Sequence, residues 1–153
     1  MEKSESKYKK YVITELKSNI VEGGWTEPMQ VAGKGKDGRV LWLDNEMVPG
    51  AFYVETVWAY PTKPDDPPDK YPQTISNPHT HDYDEVLAFF GTNFNDPHDL
   101  GGEVDFWLGG EKQIITKSAI VFIPKGLQHC PLIYRKVNSP IFIFSTGPGQ
   151  MYF

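Results

Sequence analysis

Short apolar runs, each closed within a few residues by glycine or proline, constrain this chain more than any other feature. Glu85 to Phe90 ends at Gly91, and Ser118 to Ile123 ends at Pro124-Lys125-Gly126. Glu103 to Leu108 and Gln113 to Thr116 flank Gly109-Gly110, while Asp37-Gly38 separates Gln30-Val31-Ala32 from Arg39 to Leu43. Proline fixes one backbone dihedral and glycine admits the unusual one, so such punctuation favours turns between strands. Asp-Gly and Gly-Gly are strong hairpin signals. Long helical periodicity is absent, and with 14 glycines and 13 prolines in 153 residues the chain reads as many short strands in one domain.

Within that pattern, Ala51 to Tyr60 forms a long strand rich in aromatic and β-branched residues. Phe52, Val54, Thr56 and Trp58 share the more apolar face, which is expected to look inward; Tyr53, Glu55 and Val57 share the other. Gln128 to Tyr134 and Pro140 to Ser145 supply the last strands. Tyr11-Val12-Ile13 begins an edge strand or leads the chain into the fold. Asn19 to Met29 reads as a loop around Trp25. Residues 1–10, dense in lysine and glutamate, read as a charged flexible tail ahead of a single domain over 11–153. The proline-rich stretch from Pro61 to Pro78 cannot be a central strand and reads as a solvated loop or a lid.

Chemistry concentrates in Asn77-Pro78-His79-Thr80-His81-Asp82-Tyr83-Asp84-Glu85. On a strand, His79 and His81 project from one face, and Glu85 keeps the same parity. Two imidazoles and a carboxylate suit a divalent metal. The same run, taken alone, equally fits a histidine pair on a polar surface strand. Downstream, the turn at Pro124-Lys125-Gly126 returns the chain so that His129 can point at the first pair. His98, between a proline and an aspartate in a polar loop, is read as a surface residue. Cys130 adjoins His129 and, by strand alternation, is expected to point outward and not to ligate.

These residues resemble the two motifs of the cupin superfamily. His79, His81, Glu85 and Gly91 match the first, and Pro124, Gly126 and His129 match the second. The likeness spans roughly Met47 to Ser145. Glu85 and Gly91 stand one residue closer than is usual, Ser118 replaces a common glycine and Ile133 a frequent asparagine; none of these is a ligand position. The resemblance implies an all-β, cupin-like double-stranded jelly-roll barrel. It implies one divalent transition metal (iron, manganese, nickel, cobalt, copper or zinc) held by His79, His81, Glu85 and His129.

Four protein donors leave room for water or substrate on a five- or six-coordinate ion. The function expected is that of a metalloenzyme acting on a small oxygenated metabolite by isomerase, lyase, decarboxylase or dioxygenase chemistry; the alternative is a non-catalytic metabolite-binding or metal-sensing cupin. Tyr83, sharing the ligands' parity, is the candidate proton donor, and Trp58 and Phe106 are candidate pocket walls. A net charge of −5 and only two arginines, Arg39 and Arg135, argue against a nucleic-acid partner. No apolar run is long enough to span a bilayer, the first residues do not resemble a signal peptide, and a single cysteine suits a reducing compartment. A cytoplasmic homodimer is expected, its contacts drawn from the apolar segments Val40 to Leu43 and Ile141 to Phe144.

Overall fold

A computed structural model describes residues 6–17 and 38–149. Nine strands lie among the described residues: β1 (Arg39–Leu43), β2 (Tyr53–Ala59), β3 (Gln73–Ser76), β4 (Glu85–Phe90), β5 (Asp99–Leu108), β6 (Glu111–Lys117), β7 (Ala119–Ile123), β8 (His129–Val137) and β9 (Ile141–Gly147). One sheet has the order β1-β2-β9-β4-β7 and the other β3-β8-β5-β6. All pairings between these strands are antiparallel.

The pairings are nested. β5 pairs with β6 across Gly109 and Gly110, both at positive φ, and then β4 pairs with β7, β3 with β8 and β2 with β9. Successive pairs fall alternately in the two sheets. A long hairpin rolled in this way is a jelly roll, with β1 added at the margin beside β2. Gly91, at the end of β4, permits a close crossing to β5: a Cβ there would lie 1.9 Å from the Asp99 carbonyl oxygen.

Strand alternation supplies the core. Leu87, Phe89, Ile123, Ile141 and Ile143 from one sheet meet Leu100, Val104, Phe106, Leu132 and Tyr134 from the other, all buried. The inward face of β2 corrects the sequence expectation. Tyr53 and Ala59 are buried and Val57 packs on the core, whereas Phe52 is exposed. Trp58 contacts Phe142 and Tyr60 on the opposite face. Glu55 is tolerated on the inner side because its carboxylate meets Arg39 Nε at 2.6 Å.

Other expectations shift as well. The 61–78 segment is not wholly loop: Gln73–Ser76 forms β3 at a sheet edge, where flanking prolines cost no ladder hydrogen bonds. β5 begins at Asp99, directly after His98, within the stretch expected to be a polar loop. Tyr11 closes a short 3-10 turn, Lys9–Tyr11, and begins no strand. β9, which contains residues 141–144, is paired on both sides and offers no free edge. The expected strand 30–32, the loop 19–29 and the first residues of the charged tail lie outside the described residues.

Candidate metal centre

The histidine motif is not a strand. Residues 77–84 cross from β3 in one sheet to β4 in the other, and Glu85 opens β4. What holds the crossing is a two-way backbone bridge, His79 N–H to the His129 carbonyl and His129 N–H to the His79 carbonyl, each 3.0 Å. The turn after β7 is tied to the same segment. Gly126, at φ 77, donates its N–H to the His81 carbonyl at 2.9 Å, and Lys125 N–H donates to Asp84 Oδ1 at 2.8 Å. The two motifs, distant in sequence, are thus joined by backbone before any side chain is considered.

The side chains converge accordingly. Imidazole centroids lie 4.7 Å apart for His79 and His81, 4.3 Å for His79 and His129, and 5.1 Å for His81 and His129. Glu85 Oε2 is 3.1 Å from His129 Nε2 and 3.5 Å from His81 Nε2. His81, Glu85 and His129 are buried and their ligand atoms all fall within 4.8 Å of one another. His79, half-buried, is grouped with His129 on the other side. The structure therefore brings together His79, His81, Glu85 and His129, the four residues singled out from the sequence.

Donor chemistry tests whether a metal fits. His79 Nδ1 lies 2.7 Å from the Asn77 carbonyl and His129 Nδ1 lies 3.0 Å from the Leu127 carbonyl. A carbonyl only accepts, so each ring carries a proton on Nδ1 and, when neutral, a lone pair on Nε2. His129 then turns a lone pair toward a carboxylate oxygen at 3.1 Å. Two acceptors so close require positive charge between or upon them, either a proton or a cation. The donor set fits a divalent ion held through imidazole nitrogen and carboxylate oxygen.

Electrostatics point the same way. Burial, and then the neighbouring His129 and His81, push the His79 imidazole down to about 4, which keeps it neutral and able to ligate. Burial alone would raise the Glu85 carboxyl, but His129, the Tyr53 hydroxyl and His81 hold it below its ordinary value. Tyr53 OH donates to Glu85 Oε1 and leaves Oε2 to face the histidines. The sequence reading missed Tyr53 because it placed the wrong face of β2 inward. Alternation along β2 does not say which face is inward, so no local signal marked Tyr53.

The remaining candidates are placed as follows. Tyr83 stacks on His81, with ring centroids 4.9 Å apart and planes at 11°, and lies over Gly147 and Gly149. Phe106 is fully buried with its ring centroid 6.4 Å from that of His129, so it backs that ring. Trp58 is on the outer side of its sheet and does not wall the site. His98 is exposed in the loop before β5. Cys130 departs from the expected outward direction: it adopts φ 69, which breaks strand alternation, and its side chain joins the buried core. Its Sγ comes within 4.8 Å of His79 and His129 ligand atoms, but burial pushes the thiol up to about 12.

No protein-family model matches the chain, and no curated protein matches it. Among solved structures the fold is similar to a conserved protein with a double-stranded beta-helix domain from Klebsiella pneumoniae, at 18% identity and a TM-score of 0.47, over 77% of each chain. It is also similar to a cupin protein from Bacteroides fragilis, at 15% identity and TM-score 0.45, over 73% of this chain and 76% of that one. A third likeness is to an RmlC-like cupin from Shewanella frigidimarina, at 14% identity and TM-score 0.42, over 66% and 69%. The scaffold is a jelly roll. Its own nested pairing carries that assignment. In this jelly roll the candidate centre sits where the chain passes between sheets. No helix among the described residues is long and apolar enough to cross a membrane.

Proposed function

We propose that the chain binds one divalent transition metal through His79, His81, Glu85 and His129 and acts with it on a small oxygenated organic metabolite. The single observation behind this reading is the convergence of imidazole nitrogens on Glu85 Oε2, with His129 Nε2 at 3.1 Å and His81 Nε2 at 3.5 Å. When bound, the ion supplies a Lewis acid that polarises a coordinated oxygen. The chain's own residues do the rest. Backbone carbonyls of Asn77 and Leu127 hold the Nδ1 protons, so Nε2 is the ligating atom. Tyr53 orients the carboxylate, Tyr83 holds the His81 ring by stacking, and Phe106 closes the side behind His129. Three neutral imidazoles and one carboxylate with a divalent ion leave a net charge of +1, which suits a monoanionic carboxylate or enolate-type ligand. A reducing, cytoplasmic setting accords with a chain whose one cysteine is buried.

The test has two stages. Metal content is measured on protein purified without chelator, in the wild type and in His129→Ala and His98→Ala. Loss of most metal in the first and retention in the second is expected; full occupancy in His129→Ala would overturn the ligand set. The metal-loaded protein is then screened with small carboxylates and keto acids by thermal shift and by the spectrum of a cobalt-substituted centre. A ligand that alters the spectrum and is converted supports an enzyme. Binding with no conversion of any ligand moves the reading to a metabolite-binding cupin.

A further inference from the structure

The outer face of the four-stranded sheet, turned away from the metal candidates, holds a buried carboxylate. Asp105 stands on β5 between two core-facing residues, Val104 and Phe106, so strand alternation turns it outward. In register it lies between Ile114 of β6 and Ile133 of β8. It is nonetheless only 2% exposed, and two cations meet it. Arg135 Nε donates to Oδ2 at 2.6 Å, and Lys112 Nζ reaches the same oxygen at 3.5 Å. Lys112 also stands over the Trp107 ring, 5.8 Å from its centroid. Asp105 Oδ1 is buried with no hydrogen-bond partner among the described residues.

For stability alone this is a poor arrangement. Burying a carboxylate with one oxygen unsatisfied costs more than an apolar residue would between those two isoleucines. For positioning a cation it is a good one. Asp105 takes Arg135 by Nε and so directs the guanidinium, while both Nη groups make no hydrogen bond among the described residues. The Arg135 and Lys112 side chains are 39% and 44% exposed, so solvent meets positive charge with the negative charge beneath it. Among the described residues no other carboxylate comes within 4.0 Å of either cation. Two cations against one carboxylate leave a local charge of +1, in a chain whose net charge is −5.

We infer that Arg135 and Lys112, held in place by Asp105, form a binding site for the oxyanion group, carboxylate or phosphate, of a small organic acid. The paired N–H groups of Nη1 and Nη2 match two oxygens of such a group, and Lys112 adds a point charge beside them. A monoanion cancels the excess charge of the cluster. Ile114, 58% exposed and opposite Asp105, and the half-buried Trp107 give the organic body an apolar floor. The site stands apart from the metal centre. Both draw on β8, but His129 at its start faces inward, whereas Arg135 joins the outward Asp105.

The experiment titrates the full, zinc-loaded chain with benzoate and with phenyl phosphate, and follows the Trp107 indole and Arg135 guanidinium signals by proton–nitrogen NMR. Both signals are expected to shift and saturate in the wild type, and the probe that binds more tightly identifies the oxyanion. Arg135→Lys keeps a cation for Asp105 but removes the forked nitrogens, and should weaken binding about tenfold. Lys112→Gln, at a more exposed position, should weaken it several-fold and carries the test if Arg135→Lys does not fold by circular dichroism. His129→Ala, which removes a candidate metal ligand, should bind both probes as the wild type does, so this inference stands or falls separately from the metal centre. No saturable shift with either probe at millimolar concentration, wild-type affinity in a folded Arg135→Lys or Lys112→Gln protein, or loss of binding in His129→Ala would overturn it.

Discussion

Removing a single hydroxyl offers the most direct test of how the centre is built. In Tyr53→Phe the ring, fully buried beside Trp42 and Tyr83, is kept, and only the donor to Glu85 Oε1 is lost. Glu85 is itself buried, so the orphaned oxygen gains no water in exchange. A hydrogen bond to a charged group contributes about 1.5–3 kcal/mol. Loss of a partner that orients a ligand typically costs ~10–100-fold in metal affinity. That range converts to about 1.4–2.8 kcal/mol, in agreement with the hydrogen-bond figure.

A second effect separates orientation from general damage. Glu85 is held below its ordinary value against burial, partly by Tyr53, so its carboxyl must rise when that donor is removed. Protons then compete with metal at higher pH in the variant than in the wild type. Competition titrations against a chromogenic chelator at several pH values would measure both quantities. The expected result is a weaker affinity at neutral pH together with an upward displacement of the pH at which metal is released. Equal affinities within twofold and superimposable pH profiles would refute the assignment of Tyr53 to Glu85.

Four further outcomes follow from the same geometry. The metal-free protein should lose stability as pH falls: His79 sits at about 4 when folded against 6.5 as a free imidazole, so the unfolded chain binds the extra proton throughout that window. The slope is at most about 1.4 kcal/mol per pH unit, and His79→Ala should flatten it in chemical denaturation at stepped pH. Gly147→Ala should weaken metal binding without altering a ligand, since its Cβ would fall 2.6 Å from Tyr83 Cδ2 and displace the ring that stacks on His81; isothermal titration reads this, with an overpacking cost of about 1–3 kcal/mol in stability. Cys130→Ser should keep its metal by elemental analysis, and native Cys130 should resist thiol reagents until the protein is denatured, because the thiol is buried and pushed up to about 12. Metal should raise the unfolding temperature in proportion to the logarithm of its free concentration, and chelation should lower it without unfolding the chain at room temperature.

How much of this was legible in the sequence depends on the element. Arg39 to Leu43, Glu85 to Phe90 and Ala119 to Ile123 have the bounds expected from apolar runs and their turn residues, because each is stopped by backbone chemistry that acts locally. The four candidate residues lie together, with His81, Glu85 and His129 in one cluster and His79 beside His129. β2 was misread for a reason that lies outside β2. Glu55 made the odd-numbered face look polar, yet Arg39, on a neighbouring strand, neutralises it at 2.6 Å. The even face, with Phe52 and Trp58, looked like core but belongs to an outer surface that is itself apolar. Cys130 was misread because alternation assumes extended backbone, and no pattern of residue types signalled a non-glycine at positive φ. In 61–78 the prolines dominated the reading, although an edge strand needs only four residues between them.

The position of the centre explains why it should bind metal without depending on it to fold. Each sheet brings its own donor: Glu85 opens β4 in one and His129 opens β8 in the other. His79 and His81 lie on the segment that passes between them. The sheets already share an apolar core running from Leu87 and Phe89 to Val104 and Leu132. The crossing is already pinned by the paired 3.0 Å bonds between His79 and His129 and by the bond from Gly126 to His81. A cation among these donors would thus meet a site whose backbone cost has been met by folding, so little conformational entropy would remain to be lost on binding. What binding must still overcome is competition from protons for the imidazoles and the carboxylate. Proton competition should therefore govern affinity more than ordering does, which is why the pH profile, more than the melting temperature, distinguishes a preformed centre from one assembled by its metal.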